Sequence, residues 1–161
     1  VIECRIDGVP AGIGEPVFDK LDASLAKAIM SIGAVKAVEI GDGTLAAIRK
    51  GSENNDCYTA CENGAPTKAT NHSGGILGGI SDGSPLLLRA SFKPTPSIAR
   101  PQMMLGRDGR CHEAAIHGRH DPIIVSRAVV VVEAMTALTL ADHLLLGMSS
   151  RMEHLKKIYT P

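Results

Sequence analysis

The sequence predicts a mixed α/β (α+β) domain, and three observations carry that reading. Apolar and polar residues alternate over 1–7 and 34–40, the period of half-buried strands. Val17, Leu21, Leu25, Ala28, Ile29 and Ile32 recur at helical spacing. Ala128 to Leu146 is apolar almost all round, the pattern of a helix buried deep in a larger body.

The 161 residues suffice for one domain with a sizeable core. Apolar residues make up 44% of the chain, aromatic ones only 2%, and there is no Trp. The core must therefore be aliphatic. The formal net charge is zero. That argues against nucleic acid as a partner, since both a basic field and stacking rings are missing. The chain opens Val1-Ile2-Glu3-Cys4-Arg5-Ile6, in mid-strand and without a signal-peptide pattern. This start is expected of a piece of something longer.

In order along the chain, residues 1–7 are read as a strand and 9–14 as a turn-rich loop. Pro16 suits the first turn of a helix, where its missing N–H costs nothing. Gly33 suits that helix's C-terminal cap. Ala34 to Ile40 is a strand ended by Gly41-Asp42-Gly43. Residues 49–73 read as a long loop, and Leu86 to Phe92 as a strand. Asp108-Gly109 marks a hairpin turn. The last helix begins near Ser126 or Arg127. Glu133, Asp142 and His143 interrupt it, so it makes a poor membrane span and no membrane partner is expected.

Cys4, Cys57, Cys61 and Cys111 are too few for a disulfide framework. Cys57 and Cys61 lack a partner segment at zinc-ligand spacing, so reduced thiols of a cytoplasmic protein are expected. His72, His112, His117, His143 and His154 show no metal spacing either. They are expected to be hydrogen-bonded structural residues, His72 excepted because it borders a glycine segment.

Three segments could carry chemistry. Asn71 to Gly83, "NHSGGILGGISDG", has five glycines in ten residues. Glycines permit positive φ and close approach, and exposed N–H groups of such turns bind anions. It matches neither the P-loop nor the dinucleotide fingerprint. A ligand-facing segment and a pair of tight turns ahead of a strand are equally open. Lys93-Pro94-Thr95-Pro96-Ser97 joins one cation and two hydroxyls in a stiff loop, an inventory that suits phosphate. It reads equally as a Pro-rich strand exit. Gly118-Arg119-His120-Asp121-Pro122 places Arg119 and Asp121 on one face if extended. Cations nearby, Arg119 among them, should favour the charged form of Asp121. A surface ion pair at an Asp-Pro turn is the plainer alternative, and no serine sits in a nucleophile elbow.

Taken in order, "GEPVFDKLDA…MSIGAVKAVEIGDG" (14–43), "NHSGGILGGISDG" (71–83), "FKPTPSI" (92–98) and "GRHDP…RAVVVVEAMTALTLADHLL" (118–145) resemble chorismate synthase. The resemblance covers nearly the whole chain, and only 49–70 and 99–117 are generic. It is to the carboxy-terminal portion of that family, somewhat under half of the enzyme. The amino-terminal portion, with its two catalytic histidines and substrate-holding arginines, has no counterpart in residues 1–161.

The resemblance alone implies a β-α-β sandwich with one half present, from a cytoplasmic homotetramer. It also implies the reaction, an anti-1,4 elimination of phosphate from 5-enolpyruvylshikimate 3-phosphate to give chorismate. In the family this reaction is redox-neutral overall yet requires reduced FMN (FMNH2); NADP enters through members that reduce their own flavin, a variable feature. By the same resemblance, Gly33 and Ala34 match a flavin-contacting pair, and Gly78 a flavin-contacting glycine. Lys93, Pro94, Thr95, Pro96 and Ser97 match the loop that contacts FMN at its phosphate. Arg119 matches an arginine close to both FMN and substrate, and Asp121 an aspartate near flavin N5. The family often has Asn at Gly33, Ser at Pro96, Cys at Ile123 and Pro at Val130. The first two departures each remove a side-chain contact. Two further readings stay open: a folded but inert piece, and an unrelated phosphate-binding module.

Overall fold

The computed structural model describes residues 1–62 and 65–159. Its centre is a three-stranded antiparallel sheet. β1 (Ile2–Ile6) and β2 (Val35–Ile40) flank β7 (Leu86–Phe92). Both flanking strands run antiparallel to β7, from Ile2 opposite Ala90 on one side to Ile40 opposite Leu88 on the other. α1 (Leu21–Met30) connects β1 to β2 across the sheet, so the unit is a split β-α-β with β7 inserted in its middle.

Alternation decides which face is covered. Leu86, Leu88 and Ala90 of β7 are buried, while Leu87, Arg89 and Ser91 on the other face are half-buried. α1 packs Leu21, Leu25 and Ile29 onto the covered face. α3 (Val125–Gly147) lies beside it over β1 and adds Ala128, Val132 and Leu140. The opposite face is polar: Arg89 donates to Glu3 at 2.8 Å and to the Gly41 carbonyl at 3.2 Å.

α3 departs from its expected burial. Only the stripe Ala128, Val132, Thr136, Leu140 and His143 is covered. Val130, Leu138 and Leu145 stand about two thirds exposed. By length and composition alone the helix could cross a membrane. Here it is one wall of a two-layer arrangement, with much of its apolar surface free in this chain.

Three further expectations change. α1 starts at Leu21, not at Pro16, because Glu15 and Asp19 form a bridge and Val17 and Phe18 face solvent. The Leu21 N–H then donates to the Gly79 carbonyl at 2.9 Å, a tertiary partner the local sequence does not reveal. Ser31, not Gly33, caps α1, and Ala34 takes the left-handed conformation with φ 69°. The expected loop 49–73 holds structure of its own. A 3-10 turn over Gly43–Ile48 leads into a short α2 (Gly51–Asn54), and β3 (Tyr58–Glu62) pairs with β4 (Ala65–Lys68).

The other elements fall where expected. β2 ends at Ile40, ahead of Gly41 and Gly43, both at positive φ. β8 (Gln102–Leu105) and β9 (Cys111–Ala114) form the hairpin around Asp108-Gly109. α4 (Met152–Tyr159), which the sequence did not suggest, closes the described chain.

Candidate functional site

The glycine segment folds into a miniature hairpin, β5 (Ile76–Leu77) against β6 (Ile80–Ser81), with Gly78 and Gly79 at the turn. Both have positive φ, 61° and 88°, as a tight hairpin turn demands. Most of these glycines serve the chain itself. A Cβ on Gly74 would run into the Gly41 backbone, and one on Gly75 would meet the Pro85 carbonyl at 2.6 Å. Gly78 differs: it is exposed, and a Cβ there would meet nothing within 4 Å.

Around this hairpin lies a polar frame. Ser81, 3% exposed, accepts the Ile13 N–H at 2.9 Å and donates to the Pro10 carbonyl at 2.6 Å, stitching loop 10–13 to β6. Asp56 accepts the Thr70 hydroxyl at 2.7 Å and the His72 and Ser73 N–H groups at 2.8 and 2.9 Å. Burial pushes the Asp56 carboxyl up, but those donors outweigh it and hold it well below the usual carboxylate range. Lys68 and Asp82 form an ion pair whose side chains are 4% and 7% exposed. Burial again opposes ionisation of Asp82, and the hydrogen bonds from Lys68 and Ser84 prevail, holding its carboxyl low. Asp56 and Lys68 were not singled out in the sequence, because their pairing across 14 residues or more leaves no local pattern.

A second locus lies at the other end of α1. The Lys93 N–H donates to the Ala34 carbonyl at 2.7 Å. This hydrogen bond lays the 93–97 loop against the left-handed corner at Ala34. Between them opens a pocket of about 340 Å³, lined by Ala34, Lys36, Lys93, Thr95, Ile124 and the two prolines 94 and 96. Two cations face it, and among the described residues no carboxylate does. The Thr95 hydroxyl is buried without a hydrogen-bond partner. Leaving such a group unpaired costs about 1–3 kcal/mol, and its residue is one of those lining the pocket.

The structure thus brings Ala34 together with Lys93, Pro94, Thr95 and Pro96. Gly33 adjoins them as the residue before Ala34. Gly78, Ser97, Arg119 and Asp121 are not among the lining residues. Gly78 stands beyond the opposite end of α1, roughly 15 Å away along ten residues of helix. Arg119 and Asp121 lie on an irregular segment whose continuation, Ile124, reaches the pocket. That segment forms no paired strand. The cation that meets Asp121 is Arg127, in the first turn of α3, at 2.6 Å. Arg119 is exposed and makes no ion pair among the described residues.

The expected structural roles of the histidines hold in part. His112 meets Asp108 at 3.0 Å and His154 meets the Met148 carbonyl at 3.2 Å; His72, the one excepted, also has structural partners, meeting Asp42 at 2.8 Å with Arg49 beside both. His143 departs from the expectation: it is 5% exposed, yet its Nδ1 has no partner. No His, Cys, Asp or Glu cluster suited to a metal occurs among the described residues. Cys4, Cys57 and Cys111 are free thiols, and the Cys61 side chain lies outside the described residues.

Comparison with known proteins identifies the family. The family model described as chorismate synthase matches residues 1–145. Chorismate synthase from Lachnoclostridium phytofermentans is 66% identical over 159 residues, covering 99% of this chain and 43% of that protein. Its counterpart from Agathobacter rectalis is 59% identical with the same coverage. A solved structure titled "Crystal Structure of Chorismate Synthase" superposes with a TM-score of 0.71 at 34% identity, over 96% of this chain and 39% of the other. The chain therefore spans about two fifths of the length of the curated relatives it matches.

Proposed function

Because this chain belongs to the chorismate synthase family, we propose that it supplies the FMN-phosphate pocket of a cytoplasmic, homotetrameric enzyme. That enzyme eliminates phosphate from 5-enolpyruvylshikimate 3-phosphate to give chorismate. The observation that carries this reading is the pocket beside Ala34. Two lysines without carboxylate partners and a buried, unpaired Thr95 hydroxyl converge there. They lie on or beside the residues that the family resemblance assigns to FMN. The donor set fits a phosphomonoester: Lys gives charge and Thr gives a hydrogen bond.

Reduced FMN supplies the electron-rich partner that this redox-neutral elimination requires. The chain's own residues bind and position. Lys93 and Thr95 would hold the phosphate end, with Pro94 and Pro96 stiffening the loop and Ser97 on the same loop just outside the pocket. Gly33 and Ala34 present backbone to the cofactor. Gly78 offers an exposed turn on which a flat group can rest without meeting a side chain. Arg119 would face the anionic substrate, and Asp121 would hold a proton-accepting carboxylate beside the bound flavin. The 2.6 Å bond from Arg127 keeps that carboxylate oriented. Gly78 and the Arg119–Asp121 segment lie outside the pocket, so a complete site needs the rest of the longer protein. The exposed apolar faces of α3 suit burial against that remainder.

The test is turnover of the intact protein with reduced FMN. Asp121→Asn is expected to lower chorismate formation far more than FMN affinity. Wild-type turnover in that variant would remove Asp121 from the reaction. Absence of chorismate from the unsubstituted protein would remove the enzymatic reading altogether.

A further inference from the structure

The pairing of β2 with β7 is interrupted once. Val35 is opposite Phe92 and Ala37 is opposite Ser91, so the chain advances two residues on β2 against one on β7. Lys36 is the extra residue of this β-bulge. In a regular strand it would take its turn in the alternation and be fixed to one face by its neighbours. In a bulge the extra residue is unpaired and re-aimed, a device found at sheet edges and next to functional sites. The burial along β2 records the break: Val35 is buried, and Lys36 and Ala37 are both exposed.

The re-aimed side chain lines the same pocket as Lys93 and Thr95. Neither lysine makes a hydrogen bond or ion pair to any side chain among the described residues. Two unpaired cations facing one small pocket repel each other, and the arrangement gains stability when a shared anion enters. Thr95, whose hydroxyl is buried and unpaired, is a third polar residue lining the pocket. A single positive charge beside a hydroxyl suits many ligands. Two lysines with a hydroxyl and no carboxylate suit a doubly charged, multi-acceptor group.

We propose that Lys36 is a binding residue for a phosphomonoester dianion, completing with Lys93 and Thr95 a cradle that the bulge in β2 assembles. The ligand's identity rests on the chorismate synthase reading, but its chemistry does not. The phosphate could be that of FMN or that of the phosphorylated substrate, and these arms are separable.

The experiment uses the intact protein and its Lys36→Met and Lys36→Arg variants. Dissociation constants are measured for FMN, for riboflavin (the same ring system without phosphate) and for 5-enolpyruvylshikimate 3-phosphate. Inorganic phosphate is followed separately by its 31P resonance. Lys36→Met is expected to weaken one of the two phosphate esters, and inorganic phosphate, about tenfold or more, the size of a lost charge-assisted hydrogen bond. Riboflavin should bind unchanged. Lys36→Arg should restore most of the loss. A loss confined to FMN assigns the flavin phosphate, and one confined to the substrate assigns the substrate phosphate. Equal losses for FMN and riboflavin would overturn the proposal, as would unchanged affinity for every phosphate ligand. Should the unsubstituted protein bind inorganic phosphate in a Lys36-dependent way but bind no flavin, the cradle stands and the flavin enzyme reading falls.

Discussion

The backbone N–H of Lys93 donates to the carbonyl oxygen of Ala34 across 2.7 Å, and Ala34 holds φ at 69°. One hydrogen bond therefore joins the end of β7 to a strained corner ahead of β2, and the pocket lies between them. For a residue with a Cβ, the left-handed conformation costs about 1–2 kcal/mol. The corner persists because Val35, 4% exposed, and the strand pairing after it hold it in place.

Widening the side chain at that corner should disturb both stability and binding. Ala34→Val places a β-branched residue at positive φ and is expected to lower unfolding free energy by about 1–2 kcal/mol. FMN affinity should fall with it. Ala34→Gly relieves the strain and should leave affinity within a few-fold of wild type. Urea unfolding and flavin titration of both variants check this.

The buried pair of Lys68 and Asp82 gives a sharper contrast. Asp82→Ala leaves a cation whose side chain is 4% exposed without its counter-charge, and should cost about 3–5 kcal/mol. Lys68→Met combined with Asp82→Ala removes both charges and should recover much of that loss. A double-mutant cycle in urea measures the coupling. Additive losses would show that the pair does not act as a unit.

Acid sensitivity should trace to Asp56. Its carboxyl is held low by the Thr70 hydroxyl and the Ser73 and His72 amides, against the opposing effect of burial. The folded state thus binds that proton less readily than the unfolded chain, whose Asp titrates at about 3.9. The stabilisation is complete above the unfolded value and drains away as pH falls below it toward the folded one. Asp56→Asn should lower stability at pH 7 and flatten the acid limb of the stability curve. An acid limb of unchanged slope in that variant would contradict the assignment.

Much of this architecture was legible because burial leaves periodic traces. β1 and β7 alternate in burial, and the glycines around residue 42 and the Asp108-Gly109 pair punctuate as expected. α1 was legible in its middle and not at its start, where Gly79 rather than a local cap meets the first turn. The β3–β4 hairpin was hidden in a segment rich in Gly, Asn, Thr and Lys that carries no sustained apolar alternation. α3 was found, but an apolar surface all round cannot show which stripe this chain covers.

The site was half legible. Residue type singled out the 93–97 loop, and the structure joins it to Ala34. Lys36 was passed over because a bulge depends on register with a partner strand 50 residues on, which no local pattern records. Arg127 was missed as the partner of Asp121 for the same reason: adjacency in sequence suggested Arg119. The glycine segment proved to be mainly a matter of chain crossing chain at Gly74, Gly75 and Gly79, with Gly78 exposed at the hairpin turn.

Gly78 offers its own check. With φ at 61°, Asn is tolerated there far better than a β-branched residue. Gly78→Asn should therefore keep the fold, read by an unchanged unfolding midpoint, while a side chain on the exposed turn weakens FMN binding. Unchanged FMN affinity would return the segment to a purely architectural role.

Whether the pocket beside Ala34 receives the phosphate of FMN turns on the unpaired Thr95 hydroxyl. Thr95→Val keeps shape and removes only that hydroxyl. Since it has no partner in the folded chain, the substitution should leave unfolding stability equal or slightly higher. The dissociation constant for FMN should rise about tenfold in the same protein, with riboflavin binding unaltered. Wild-type FMN affinity in Thr95→Val would mean that the flavin phosphate is held elsewhere.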